Sequence, residues 1–219
     1  MTSYATMALV DLLDAFASNE PVPGGGSAAA LAGAVGASLL IMVAGLPKTL
    51  TGSPEEAADL AEASARLRPL RDTLTSLIER DSAAYSAVLA AMRLPRTSDA
   101  DTRARRDAID AAMHGAIEVP MDTMRCCQQA LRGAVIVAQY GNPAAATDTG
   151  TGIELLLAGL RGAGMNVDVN ARSVSDAAFA ERVAAERVQL AADAEADARG
   201  ARERLSLTGG RRKEEGDRR

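Results

Sequence analysis

PGGGSAAALAGAVGASLLIMVAGL, residues 23–46, decides how the rest of the chain is read. Pro21, Pro23 and the three glycines Gly24, Gly25 and Gly26 forbid regular structure before Ser27, a good helix N-cap. From Ala28 to Leu46 no charge interrupts the run. Ala29, Gly33 and Ala37 recur every fourth residue and present a flat face that another helix can approach closely. A helix apolar all round is buried somewhere, in a protein or in a bilayer. The length suffices for a membrane span. The Ala/Gly composition, with no aromatic belt, favours the buried centre of a helical bundle.

The composition extends that expectation to the whole chain. Of 219 residues 47% are hydrophobic, which excludes global disorder, yet only 2% are aromatic and tryptophan is absent. Alanine is the best helix former and strand-favouring residues are scarce, so an all-α fold is expected. A net charge of −5 offers nucleic acid or an anionic membrane no electrostatic attraction. The acidic N-terminal stretch with Asp11, Asp14 and Glu20 does not read as a signal peptide. Cys126 and Cys127 are neighbours on a helix, diverge by ~100°, and form neither a disulfide nor half of a CxxC site. A cytoplasmic setting fits.

Outward from the glycine turn, Met7, Val10, Leu13 and Phe16 make an apolar stripe on a short helix over 6–18. Ser53-Pro54-Glu55-Glu56 starts another, running to Met92 with a kink or break near Pro69. Ser98 opens a third, with Ile109, Met113 and Ile117 on one face, interrupted at Pro120 and ending at Tyr140. A helix over 147–160 is expected to stop at Gly162–Gly164, and a last one covers 175–204. The organisation is one domain, 1–207, with a disordered charged tail over 208–219.

Three stretches carry candidate chemistry. Gly24-Gly25-Gly26-Ser27 offers free backbone N–H groups at a positive helix end, suited to a polar or anionic ligand; a plain turn explains it equally. Asp81 sits inside the stripe formed by Leu70, Leu74, Leu77, Ile78, Tyr85, Val88 and Met92. A carboxylate there either pairs with a buried donor or lines a pocket. Asn142 through Gly150, with Asp148, reads as capping chemistry, and Asn166 and Asn170, four apart, can share a helical face. His114 is the only histidine, so neither a Ser-His-Asp triad nor a multi-histidine metal site is promoted, and acid–base work falls to carboxylates.

Pro23 through Ala37, Asp81 through Val88 (DSAAYSAV), Arg93-Leu94-Pro95, Glu118-Val119-Pro120, Gly141-Asn142, Thr147-Asp148 and Asn166-Val167-Asp168-Val169-Asn170 together resemble the cyclodeaminase/cyclohydrolase family of folate enzymes. The resemblance covers about residues 4–204; Thr147 stands where the family often has serine. It implies an all-α homodimer or larger homo-oligomer, a folate pocket at the glycine turn, and no metal or redox cofactor. The activity it implies first is 5-formiminotetrahydrofolate cyclodeamination, giving 5,10-methenyltetrahydrofolate and ammonia, with a separate formiminotransferase as a possible partner. Methenyltetrahydrofolate cyclohydrolysis is the alternative, and a non-catalytic folate-binding or scaffolding protein is the alternative of another class. On this reading Asp81 and Asp148 transfer protons and hold the cationic carbon centre. Gly24, Gly25, Gly26 and Ser27 cradle the folate, Tyr85, Asn142, Asn166 and Asn170 line its pocket, and Lys48 meets the glutamate tail.

Overall fold

A computed structural model describes residues 3–216, with side chains through residue 207; 217–219 lie outside the described residues, as do the side chains of the expected charged tail. After a 3-10 turn, Tyr4–Thr6, come α1 (Leu9–Ala17), α2 (Gly25–Ala44), α3 (Pro54–Met92), α4 (Asp99–Tyr140), α5 (Ala146–Asn170) and α6 (Ala177–Gly216), with 3-10 turns at Pro143–Ala145 and Ala171–Ser173. Among the described residues there is no strand, and the all-α expectation holds.

Helix α2 is the centre of the bundle. It packs on α3, α4 and α5, and Ala30, Ala37 and Leu40 are fully buried. Its small residues let α5 come very close, as the flat Ala29/Gly33/Ala37 face implied. A Cβ added at Gly36 would lie 2.7 Å from the Gly152 carbonyl oxygen, and one at Gly159 would lie 2.7 Å from that of Ala29. The two helices run antiparallel, with Gly25 beside Asn166 and Gly36 beside Gly152. The helix is long and apolar enough to cross a membrane, but here it is the core of a bundle.

Several expected boundaries move. Helix α2 starts at Gly25, two residues before Ser27, with Gly24 as N-cap. The Ser27 hydroxyl is therefore not a cap; it points into the bundle. Helix α3 runs unbroken through Pro69, and α4 through Pro120. A proline inside a helix costs ~3 kcal/mol. Apolar side chains beside each, Leu67 and Leu74 around Pro69 and Val119 and Met121 around Pro120, are buried and offset that cost. Helix α5 likewise continues through Gly162–Gly164 to Asn170, because those glycines face neighbours: a Cβ at Gly162 would meet Ala29, and one at Gly164 would meet Met124 and Arg187.

The apolar stripe of α1 is only partly covered: Met7 and Phe16 are half-buried, Val10 and Leu13 are 63% and 55% exposed, and Leu12 is the buried residue of the helix. The sequence periodicity is real, but α1 barely packs on its own chain. At the other edge, α6 is tied to α4 by Arg125, which donates to Glu186 at 2.6 and 2.8 Å and also pairs with Glu118 and Asp122 at 3.0 Å. His114 stacks on Phe179 with ring centroids 4.1 Å apart, a packing role.

Candidate functional site

Where α2 begins, its first turn meets the middle of α3. The Asp81 carboxylate lies directly against Gly26: a Cβ there would fall 2.0 Å from Oδ1. Any side chain at 26 would evict the carboxylate, which is the reason for glycine at this position. Beneath it, Ser27 Oγ lies 3.0 Å from Asp81 Oδ2, 2.9 Å from the Ile78 carbonyl and 3.1 Å from Ser82 Oγ. Ser27 is fully buried and has one proton, so the arrangement has two settings. With Asp81 ionised, Ser27 donates to the carboxylate. With Asp81 protonated, the carboxyl donates to Ser27 and Ser27 donates to Ile78. Burial pushes the Asp81 carboxyl above its ordinary range, while the hydroxyl and backbone N–H of Ser27 pull it down. A carboxyl served in both protonation states suits proton transfer.

Asp81 opens into a cavity of about 540 Å³, a size suited to a small organic ligand. Its polar wall is the glycine turn with Asn166 and Asn170. Asn166 Nδ2 donates to the Gly162 carbonyl at 2.9 Å, and Asn170 Nδ2 to that of Ala116 at 2.8 Å. Each amide nitrogen is thereby oriented, and neither Oδ1 accepts a hydrogen bond from the described residues. Val88, Met92, Ile109 and Met113 form the apolar wall. Among the described residues Tyr85 is the only other titratable side chain lining the cavity, and no arginine, lysine or histidine lines it. Asp81 thus has no cation to pair with among the described residues. No group of three His, Cys, Asp or Glu that could hold a metal ion occurs among the described residues.

The structure gathers Gly24, Gly25, Gly26, Asp81, Tyr85, Asn166 and Asn170 around one cavity, with Ser27 under its floor. It does not bring Asp148, Asn142 or Lys48 there. Asp148 is on the first turn of α5, and the eighteen residues to Asn166 put it ~27 Å away along an unbroken helix. Asn142 accepts from the Ala144 N–H at 2.9 Å and so caps the 3-10 turn before α5. Lys48 is exposed beyond the far end of α2. Within one chain the cavity therefore holds Asp81 without Asp148, since α5 runs unbroken from Ala146 to Asn170 and keeps its two ends apart. Replacing Asp148 by asparagine is expected to change turnover by less than about threefold, the reach of a ±0.5 kcal/mol surface effect. Steady-state rates check this; a loss of orders of magnitude would mean that another copy of the chain brings its α5 start to this cavity.

Sequence reasoning missed Pro21, Val22, Ala84, Val88, Met92, Ile109, Met113, Ala116, Val169 and Ser173 as lining residues. Val88, Met92, Ile109 and Met113 had been placed on apolar stripes, and nothing in such a stripe separates a core wall from a cavity wall. Burial keeps both cysteines as thiols, Cys126 pushed up to about 11 and the wholly enclosed Cys127 higher still, so neither offers a ready nucleophile.

An all-helical bundle whose central small-residue helix presents its first turn to a carboxylate at the edge of a cavity has room for a small molecule and a group able to exchange a proton with it. Comparison with known proteins agrees in fold and in sequence. A family model described as formiminotransferase-cyclodeaminase matches residues 8–189, and the chain belongs to that family. A methenyltetrahydrofolate cyclohydrolase of Methylorubrum extorquens is 41% identical over 182 residues, covering 83% of this chain and 88% of that one. A formimidoyltransferase-cyclodeaminase of Dictyostelium discoideum is 31% identical over 193 residues, but these are 87% of this chain and only 35% of that one. The formiminotetrahydrofolate cyclodeaminase structure from Thermotoga maritima superposes with a TM-score of 0.82 over 92% of this chain and 96% of that one; at 24% identity the likeness is one of fold.

Proposed function

We propose that this chain is a folate one-carbon enzyme acting on a cationic tetrahydrofolate derivative, and that its reaction is hydrolysis of 5,10-methenyltetrahydrofolate. The observation that carries the reading is the unpaired Asp81 in a cavity whose lining has no positive charge. A buried carboxylate without a counter-ion favours a ligand that brings one. The methenyl compound does so, its charge shared by N5, the bridging carbon and N10. Water adds to the bridging carbon and passes a proton to Asp81. Asp81 returns that proton to N5 as the carbon–N5 bond breaks, and the hydroxyl proton of the adduct passes to solvent as its oxygen becomes the carbonyl of the formyl group on N10. The free Oδ1 atoms of Asn166 and Asn170 are acceptors for the pterin amino and ring N–H groups.

Cyclodeamination is the second reading, and the same groups serve it. N10 attacks the formimino carbon, Asp81 takes the N10 proton, and the proton returns to the nitrogen that leaves as ammonia. Hydrolysis takes precedence because the relative named for it matches over nearly its whole length, whereas the chain spans about a third of the Dictyostelium protein. The test is the absorbance of the methenyl chromophore. Enzyme-dependent loss from preformed methenyl compound supports hydrolysis. Appearance from 5-formiminotetrahydrofolate with ammonia release supports deamination instead. Ligand binding with neither change would leave a folate-binding protein without turnover.

We also read the chain as a homo-oligomer. Leu9, Val10 and Leu13 of α1, Val35 and Met42 of α2, and Met165 and Val169 of α5 are all exposed apolar residues, more than one surface needs. Light scattering coupled to size exclusion is expected to give a multiple of the chain mass; a monomer at micromolar concentration would contradict the reading.

A further inference from the structure

We propose that Arg105 is the binding group for the carboxylate tail of the folate, at the outer end of the cavity that starts at Asp81. The inference rests on the folate reading above and replaces Lys48, which stands at the other end of the bundle. Between Asp81 and Met92 the α3 wall of the cavity presents Tyr85 and Val88, and the α4 wall presents Met113 and Ile109. These apolar side chains form a track suited to a benzoyl ring. The track ends at Met92, eleven residues or ~16 Å along the helix from Asp81. A benzoyl ring followed by one extended amino acid and its side chain covers that span.

Arg105 stands there. It lies one turn before Ile109 on α4, and its Nε and Nη2 donate to the Met92 carbonyl at 3.2 and 3.0 Å. Two of its five donors hold the guanidinium at the mouth, and the remaining three are free to fork a carboxylate. Most arginines that the structure orients are paired with acids, among them Arg80, Arg125, Arg161 and Arg202. Arg105 is half-buried and forms no ion pair among the described residues. Asp101, one turn before it, is instead held by the Thr97 hydroxyl. The cavity lining has no cation, so an anionic tail finds its first fixed positive charge at this edge. Asp81 and Arg105 then match the two charges of the substrate, cationic at the one-carbon centre and anionic at the tail.

The test compares 5,10-methenyltetrahydrofolate with its analogue in which a methylamide replaces the glutamate, so that the tail has no carboxylate. Arg105→Ala is expected to raise KM for the first by about tenfold or more with kcat little changed, and to leave the analogue's kinetics as they are. Arg105→Gln, which keeps a donor for the Met92 carbonyl but no charge, separates loss of the tail contact from local disorder and is expected to behave as Arg105→Ala does. Arg103→Ala, about 200° round the same helix, is expected to change neither KM. Equal effects on both compounds, or none on either, would overturn the tail site. If the unsubstituted chain binds neither compound, the folate reading itself falls, and the tail site with it.

Discussion

An Asp81→Asn chain is expected to lose turnover by ~10²-fold or more while melting no lower than the unsubstituted protein. Asparagine keeps the shape and can still bond to Ser27, but neither accepts a proton nor neutralises a cation. The stability half of the expectation follows from the sign of linkage. The folded-state pKa of Asp81 is raised, so between the unfolded and the folded value the native state holds the extra proton. Stability contributed by this group is thus present at low pH and is lost as pH rises through the folded value. Removing the ionisable group removes that loss, so the variant gains relative stability on the alkaline side. For the same reason the rate supported by ionised Asp81 falls on acidification at a pH above the usual carboxylate range. Thermal melts and a pH–rate profile read both halves. A variant that loses activity only because it unfolds, or one that stays active, would remove Asp81 from the mechanism.

The second large effect concerns stability alone. Gly36→Ala is expected to destabilise the fold by ~2–4 kcal/mol, at the upper end of overpacking costs. Its Cβ would fall 2.7 Å from the Gly152 carbonyl oxygen and 3.1 Å from the Leu156 backbone nitrogen. Backbone cannot turn aside as a side chain can, so the α2–α5 pair must separate along its length. For a chain of this size the loss corresponds to a fall in Tm of ~5–15 °C. Gly115→Ala is the opposite control: it is helical, nothing lies within 4 Å of its added Cβ, and a gain of up to ~1 kcal/mol is expected from helix propensity. Equal responses at the two sites would show that close helix approach is not what requires glycine at 36.

What the sequence made legible was the part governed by local composition. The Ala/Gly composition favoured a central helix over a membrane span, and Asp81 within an apolar stripe had to be either paired or in a pocket; it proves to bond Ser27 and line the cavity at once. The four-residue spacing of Asn166 and Asn170 allowed a shared helical face beside the plain turn reading, and both line the cavity. What escaped reading depends on packing between distant segments. Pro69 and Pro120 look like breaks because local propensity disfavours them, yet buried neighbours carry the helices through. Gly162–Gly164 was misread as a break in the same way, and the pairing of Asp148 with Asp81 came from the family resemblance alone, which carries no distance between them. The α1 stripe was legible as a stripe, but its periodicity could not tell that Val10 and Leu13 stay exposed. Arg105 gave no signal at all, because its place is set by the Met92 carbonyl thirteen residues away.

The cavity is walled by side chains from α3, α4 and α5 and roofed by the turn that opens α2, so no two helices contain it. Anything bound there acts as a bolt through four members of the bundle. Occupancy then resists the parting of every helix that meets at the site, and protection from amide exchange should spread along all four rather than stay beside the ligand.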